Sequence, residues 1–81
     1  MRSRLRGQES AVHKAKTLLR QVERHICEAE CRMTRQQILI AKLERGGQTA
    51  ALAQARDLLT ATLAGLDASW AYRRALLLRS N

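Results

Sequence analysis

Apolar residues recur through the first half of the chain at alternating spacings of three and four, the period of an α-helix that packs along one side. The series comprises Val12, Ala15, Leu19, Val22, Ile26, Ala29, Met33, Gln36, Ile40 and Leu43. Gln36 is its one polar member. With Ser10 as a candidate N-cap, this heptad pattern predicts a helix over about residues 10–45.

A second and poorer series follows. It consists of Leu52, Arg56, Leu59, Leu63, Leu66, Trp70, Arg73 and Leu77, widened by Ala55, Thr62 and Leu76. With Thr49 as a candidate cap, it predicts a second helix over about residues 49–79. Because Trp70 falls on the series, we expect it to be the largest side chain in the core.

Gly46, Gly47 and Gln48 separate the two series, and glycine is favoured just beyond the end of a helix. A three-residue connection forces the two helices to run antiparallel. The sequence therefore predicts an all-α fold, a two-helix coiled-coil hairpin over residues 10–81. Residues 1–9 show no apolar period and are predicted to be a flexible basic arm.

Several aliphatic residues fall outside the main series, and a lone pair of helices buries only a narrow stripe. The residues predicted to mediate self-association are Leu18, Gln36, Ile38, Leu39, Leu58 and Leu76. Leu78 adds to the surplus. Two hairpins forming an antiparallel four-helix bundle would cover them, and a helix of another protein would serve equally. We expect Gln36 to fix the register or the oligomeric state.

The net charge of +8 comes from the two ends of the chain, because residues 25–69 carry equal numbers of basic and acidic side chains. A hairpin brings both ends to one pole, where an anionic partner would relieve their repulsion. The predicted patch comprises Arg2, Arg4, Arg6, Lys14, Lys16, Arg20, Arg24, Arg73, Arg74 and Arg79. Nucleic acid, bound through its phosphates, is the leading anionic candidate, and a membrane surface is less favoured.

Catalytic chemistry is not indicated by the residue pattern. A chain of 81 residues has little volume for a substrate pocket, and neither histidine is spaced to form a relay with a serine or a carboxylate. Cys27 and Cys31 could share a metal ion at helical spacing, but ordinary half-exposed thiols are the simpler interpretation. We predict no enzyme activity, no cofactor and no metal site. Without an export signal or an apolar span, the chain is expected in the cytoplasm with reduced thiols.

The segment from His25 to Arg32, together with Gln36, Gly47 and Thr49, resembles a family of small hypothetical proteins common in alphaproteobacteria. Their pattern runs H-I-x-E-x-E-x-R-x-x-x-Q, and the resemblance extends over about residues 24–66. This chain departs from it at both cysteines and in the glycine turn. The resemblance implies a bacterial helical hairpin and carries no assigned activity.

Taken together, these patterns favour a non-enzymatic helical protein that binds itself or a protein partner. The alternative is a basic nucleic-acid-binding module that acts through phosphate contacts at the open end of the hairpin.

Overall fold

The computed structural model describes the backbone of residues 2–80 and the side chains of residues 11–79. It contains two helices, α1 (Arg2–Gly46) and α2 (Thr49–Ser80), and the described residues form no strand. The helices pack against each other as a hairpin that measures 68 × 16 × 14 Å over its Cα atoms. The predicted all-α helical hairpin is confirmed, whereas its pairing into a four-helix bundle stays a prediction.

The turn is built from backbone hydrogen bonds that close the end of α1. The Gly47 N–H donates to the Glu44 carbonyl, and the Gln48 N–H donates to the Leu43 carbonyl, each over 3.3 Å. This pair of bonds is a Schellman motif, which needs a left-handed residue after the helix. Gly47 supplies it with φ at +67°. The glycine stop predicted from the sequence is therefore where the chain reverses.

The predicted start of α1 needs correction, whereas α2 begins at Thr49 as predicted but has a different cap. α1 begins at Arg2 and not at Ser10, because residues 2–9 contain no proline and Gly7 is their one strong helix breaker. Whether this segment is mobile stays a prediction. At α2, the Leu52 N–H donates to the Gln48 carbonyl over 2.9 Å. Gln48 therefore occupies the N-cap position, and Thr49 is the first residue of the helix.

The apolar series predicted for α1 faces α2 as expected. Val22 and Ile26 are buried, and the other members are half-buried except Val12, which is 54% exposed near the open end. The central cluster joins Val22 and Ile26 to Leu66 and Leu76 of α2. The helical period of α1 alone was therefore sufficient to identify its packed side.

The series predicted for α2 is wrong at Arg56, Leu63 and Trp70, which are exposed, and its other members, including Ala55, Thr62 and Leu76, are buried or half-buried. The residues that face α1 are Leu52, Ala55, Leu59, Thr62, Leu66, Ser69, Arg73 and Leu76, all buried or half-buried. Leu63 and Trp70, which the sequence suggested as core residues, are 42% and 41% exposed. Between its inward leucines, α2 places the small residues Ala55, Thr62 and Ser69 against the large side chains of α1, and Leu63 and Trp70 lie to one side.

Leu76 and Leu78 offer a direct test of this phase. Leu76 is 4% exposed and Leu78 is 72% exposed, although only one residue separates them. We expect Leu76→Ala to lower the free energy of unfolding by about 2–3 kcal/mol, because it leaves a cavity in the core. Leu78→Ala should change it by less than about 0.5 kcal/mol. Chemical denaturation followed by circular dichroism measures both, and equal losses would contradict the phase described here.

Gly47 offers a second test, because substitution there is limited by the backbone conformation and not by neighbouring atoms. No atom lies within 4 Å of a Cβ built there, but φ is +67°. Gly47→Ala should therefore cost about 1–2 kcal/mol of stability through backbone strain alone. Gly46→Ala is the matched control, since a Cβ at Gly46 meets Gln48 at an ordinary 3.8 Å. A neutral Gly47→Ala variant would show that the turn can adopt another geometry.

Candidate association surface

The hairpin has two long sides, which lie to either side of the packed seam and differ in chemistry. One side carries Leu63 and Trp70, and we call it the tryptophan side. The other carries Leu18, Leu39, Leu58 and Tyr72 at one heptad position of their helices, and we call it the leucine face. The two sides are about equally long, but charged contacts between the helices stabilise only the first.

The tryptophan side is closed by ion pairs. Arg56 Nη2 donates to Glu44 Oε1 over 3.1 Å near the turn. Arg73 Nε lies 3.6 Å from Glu23 Oε2, and its guanidinium carbon lies 5.5 Å from the centre of the Trp70 ring. Both ion pairs found among the described residues are therefore on this side. The Arg73 guanidinium covers part of the Trp70 ring, which partly explains how α2 keeps a tryptophan outside the seam.

The leucine face is apolar at two levels, and between them α1 places the polar side chains of His25, Glu28 and Arg32. Leu18 and Tyr72 line one shallow groove, and Leu39 and Leu58 lie toward the turn. Their side chains are between 37% and 59% exposed. Between the two levels, α2 presents Ala61, Gly65 and Ala68, which line grooves with α1.

The residues predicted for self-association separate into three groups. Leu18, Leu39 and Leu58 share the leucine face. Ile38 is 53% exposed but lies on the outer side of α1, pointing away from α2. Leu76 was wrongly included among the residues for self-association: it is 4% exposed and belongs to the core cluster, as its place in the widened α2 series predicted.

Gln36 sits in the seam, as expected, and its environment is unusual. Its side-chain oxygen Oε1 is buried and has no hydrogen-bond donor. Thr62, a neutral polar residue on the α2 side of the seam, instead donates its hydroxyl hydrogen to the Leu58 carbonyl over 3.0 Å. A buried amide oxygen without a donor costs about 1–3 kcal/mol. Gln36 also lines a groove with Arg32 and Leu39, so it borders the leucine face.

The predicted basic patch forms a ring around the open end. The hairpin brings the basic segments of α1 and α2 to one pole, but their side chains point in several directions. Lys14, Lys16 and Arg79 line one groove with Leu18 and Leu76. Arg20, Arg24 and Arg74 are exposed elsewhere on the ring. Arg2, Arg4 and Arg6 have side chains outside the described residues.

Arg73 departs from the predicted basic patch. It is half-buried, pairs with Glu23 and covers the Trp70 ring. Because its charge is already balanced inside the hairpin, it is a poor candidate for binding an external anion. The sequence placed Arg73 on the packed series and in the patch, and the first of these two positions is the one that the structure supports.

Cys27 and Cys31 are free, exposed thiols on α1. Among residues 11–79, no three side chains of the metal-binding types come together at one place. Neither of the two helices, as far as the structure describes them, is long and apolar enough to cross a membrane.

Comparisons with known proteins add no relative. No family model, curated protein or solved structure matches this chain. The resemblance to alphaproteobacterial hypothetical proteins therefore stays a prediction.

Sequence reasoning missed Tyr72 and the small residues of α2 as parts of the candidate surface. Neither Tyr72 nor Gly65 was among the residues predicted for self-association. The available signal was the run Ala55, Thr62 and Ser69 at spacings of seven. Placing these small residues in the seam would have put Tyr72, Gly65 and Leu58 together on one side.

Proposed function

We propose that this protein is a small non-enzymatic helical interaction protein that associates through its leucine face, with a second copy of itself or with a helix of a protein partner. The cytoplasm is the expected location, since the two exposed thiols suit a reducing compartment. The observation that carries the proposal is that the hairpin buries few apolar side chains and leaves many large ones exposed to water.

The core of a single hairpin is very small. Among the described residues, five apolar side chains are buried: Val22, Ile26, Ala55, Leu66 and Leu76. Nine large apolar residues remain exposed among the described residues, and four of them form the leucine face. Small scaffolds of this kind usually gain stability from a further element. A second helical layer on the leucine face would extend the core without disturbing the ion pairs on the opposite side.

Binding to nucleic acid is the second candidate, supported by exposed cations at the open end. Lys14, Lys16 and Arg79 share one groove, and Arg74 is exposed nearby. Phosphate contacts require only such clustered charges. The proposal ranks second because the described cations surround the pole instead of forming one flat face. We expect weak, sequence-independent binding that depends strongly on salt.

Leu58 and Leu78 test the role of the leucine face. Both are exposed leucines of α2, but Leu58 lies on the face and Leu78 lies on the outer side of the helix. In sedimentation equilibrium, we expect the natural protein to associate at micromolar concentrations, and Leu58→Glu to weaken association at least tenfold. Leu78→Glu should change it less than about threefold, since a charge there stays in water. Equal effects of the two substitutions would rule out this face as the association surface.

A mobility-shift titration at two salt concentrations tests the second candidate. Affinity for duplex DNA should fall with a log–log slope of several units, because each neutralised phosphate contributes about −0.9. Changing Arg74 and Arg79 to Gln should reduce that slope, and Leu58→Glu should leave it unchanged. Tight binding that persists at physiological salt would place nucleic-acid binding above protein association.

A further inference from the structure

The two apolar levels of the leucine face are placed symmetrically about one level of the hairpin. Leu18 and Leu39 are 21 residues apart, so their midpoint lies between Glu28 and Ala29. Leu58 and Tyr72 are 14 residues apart, and their midpoint is Gly65. Glu28, Ala29 and Gly65 line the same groove, which places both midpoints at one height. A face with this symmetry can meet a copy of itself in an isologous contact, with each apolar level opposite an apolar level.

From this symmetry we infer that the occupant of the leucine face is a second copy of the chain, turned end for end about a two-fold axis that passes beside Gly65. This inference rests on the proposed function and specifies its partner. In the resulting four-helix bundle, α1 packs on α1 and α2 packs on α2, each pair antiparallel. Leu39 then meets Leu18 of the second copy, and Leu58 meets its Tyr72.

A second two-fold arrangement would also bring apolar residues together. If both turns lay at the same end, Leu39 would meet Leu58, and Leu18 would meet Tyr72. Apolar contact alone therefore does not choose between the two arrangements. The charge distribution and the unpaired side-chain oxygen of Gln36 both distinguish the two arrangements.

Charge favours the antiparallel arrangement. The parallel arrangement would join two open ends, each with Lys14, Lys16, Arg74 and Arg79 exposed and no acidic side chain among residues 70–79 to offset them. Like charges at this spacing repel, and the repulsion is weakened only in part by salt. The antiparallel arrangement moves the two basic poles to opposite ends of the bundle.

Gln36 favours the same arrangement. About an axis between residues 28 and 29 of α1, position 36 comes opposite position 21 of the second copy, which is an exposed glutamine. The amide N–H of Gln21 is a donor of the kind that the buried Oε1 of Gln36 lacks. In the parallel arrangement, Gln36 comes opposite the apolar stretch around Leu58. Only the antiparallel bundle offers an amide partner at this level.

The size of the face is adequate for a stable dimer. α2 has 32 residues and is about 48 Å long. With a hairpin about 16 Å wide, the shared face covers roughly 750 Å², close to the ~800 Å² per partner of stable complexes.

Distances between spin labels distinguish the two arrangements. Arg45 is exposed on the outer side of α1 near the turn, away from the leucine face, so Arg45→Cys provides a labelling site after Cys27→Ser and Cys31→Ser. In the antiparallel dimer, the labels should be about 50–55 Å apart, given the helical rise per residue. In the parallel dimer, they should be less than about 30 Å apart.

Two variants add a test of the glutamine contact. Because Gln36→Leu and Gln21→Leu each remove one side of the proposed pair, each should allow a short-distance population to appear beside the long one. The double variant should give no larger change than either single variant. If the long distance alone survives in all three, the glutamine pair does not set the orientation.

The remaining outcomes separate this inference from the proposed function. A dimer with only the short distance would overturn the antiparallel arrangement and leave self-association intact. A protein that remains monomeric to hundreds of micromolar would overturn the second copy as the occupant. That result would leave a helix of another protein as the remaining occupant of the leucine face in the proposed function.

Discussion

Along the middle of the seam, α1 contributes mostly large side chains and α2 contributes a small residue at every second position, and the rest of the surface follows from that inequality. Leu19, Val22, Ile26 and Met33 are the bulky members of the α1 side. α2 answers them with Ala55, Thr62 and Ser69 at every second seam position. Two helices approach each other closely where the side chains of one of them are small. The larger residues of α2 consequently lie beside the seam, where they create two sides of different character.

This inequality explains which parts of the fold were predictable. The α1 series and the Gly47 turn were identified because each depends on a local property, helical period in one case and backbone conformation in the other. The phase of α2 depends on what lies opposite it. By hydrophobicity alone, Leu63 and Trp70 outrank Thr62 and Ser69 as core residues, but the volume already filled by α1 decides the matter. The hydrophobic pattern of α2 by itself contains no information about that volume.

The candidate surface was predictable only in part, for the same reason. Leu18, Leu39 and Leu58 were identified as surplus apolar residues, and all three share a face. Leu76 was predicted both in the widened α2 series and on the association surface, and only the first position is correct, since the residue is buried. The sequence identified Gln36 as a polar residue in the seam. That its side-chain oxygen has no hydrogen-bond donor is visible only in the structure. Thr62 shows that a short hydroxyl can satisfy itself within its own helix, whereas the longer amide does not.

The position of Trp70 gives this small protein a built-in optical reporter. It is the sole tryptophan of the chain, it lies on the side away from the leucine face, and it contacts a guanidinium held by α1 through Glu23. Separation of the two helices breaks the Glu23–Arg73 ion pair that holds this guanidinium at the ring, and it thereby changes the polarity around the indole. Assembly on the opposite side leaves its surroundings as they are. Intrinsic fluorescence therefore follows the opening of one hairpin, while hydrodynamic size follows the joining of two, so the two equilibria can be measured independently in one unlabelled sample.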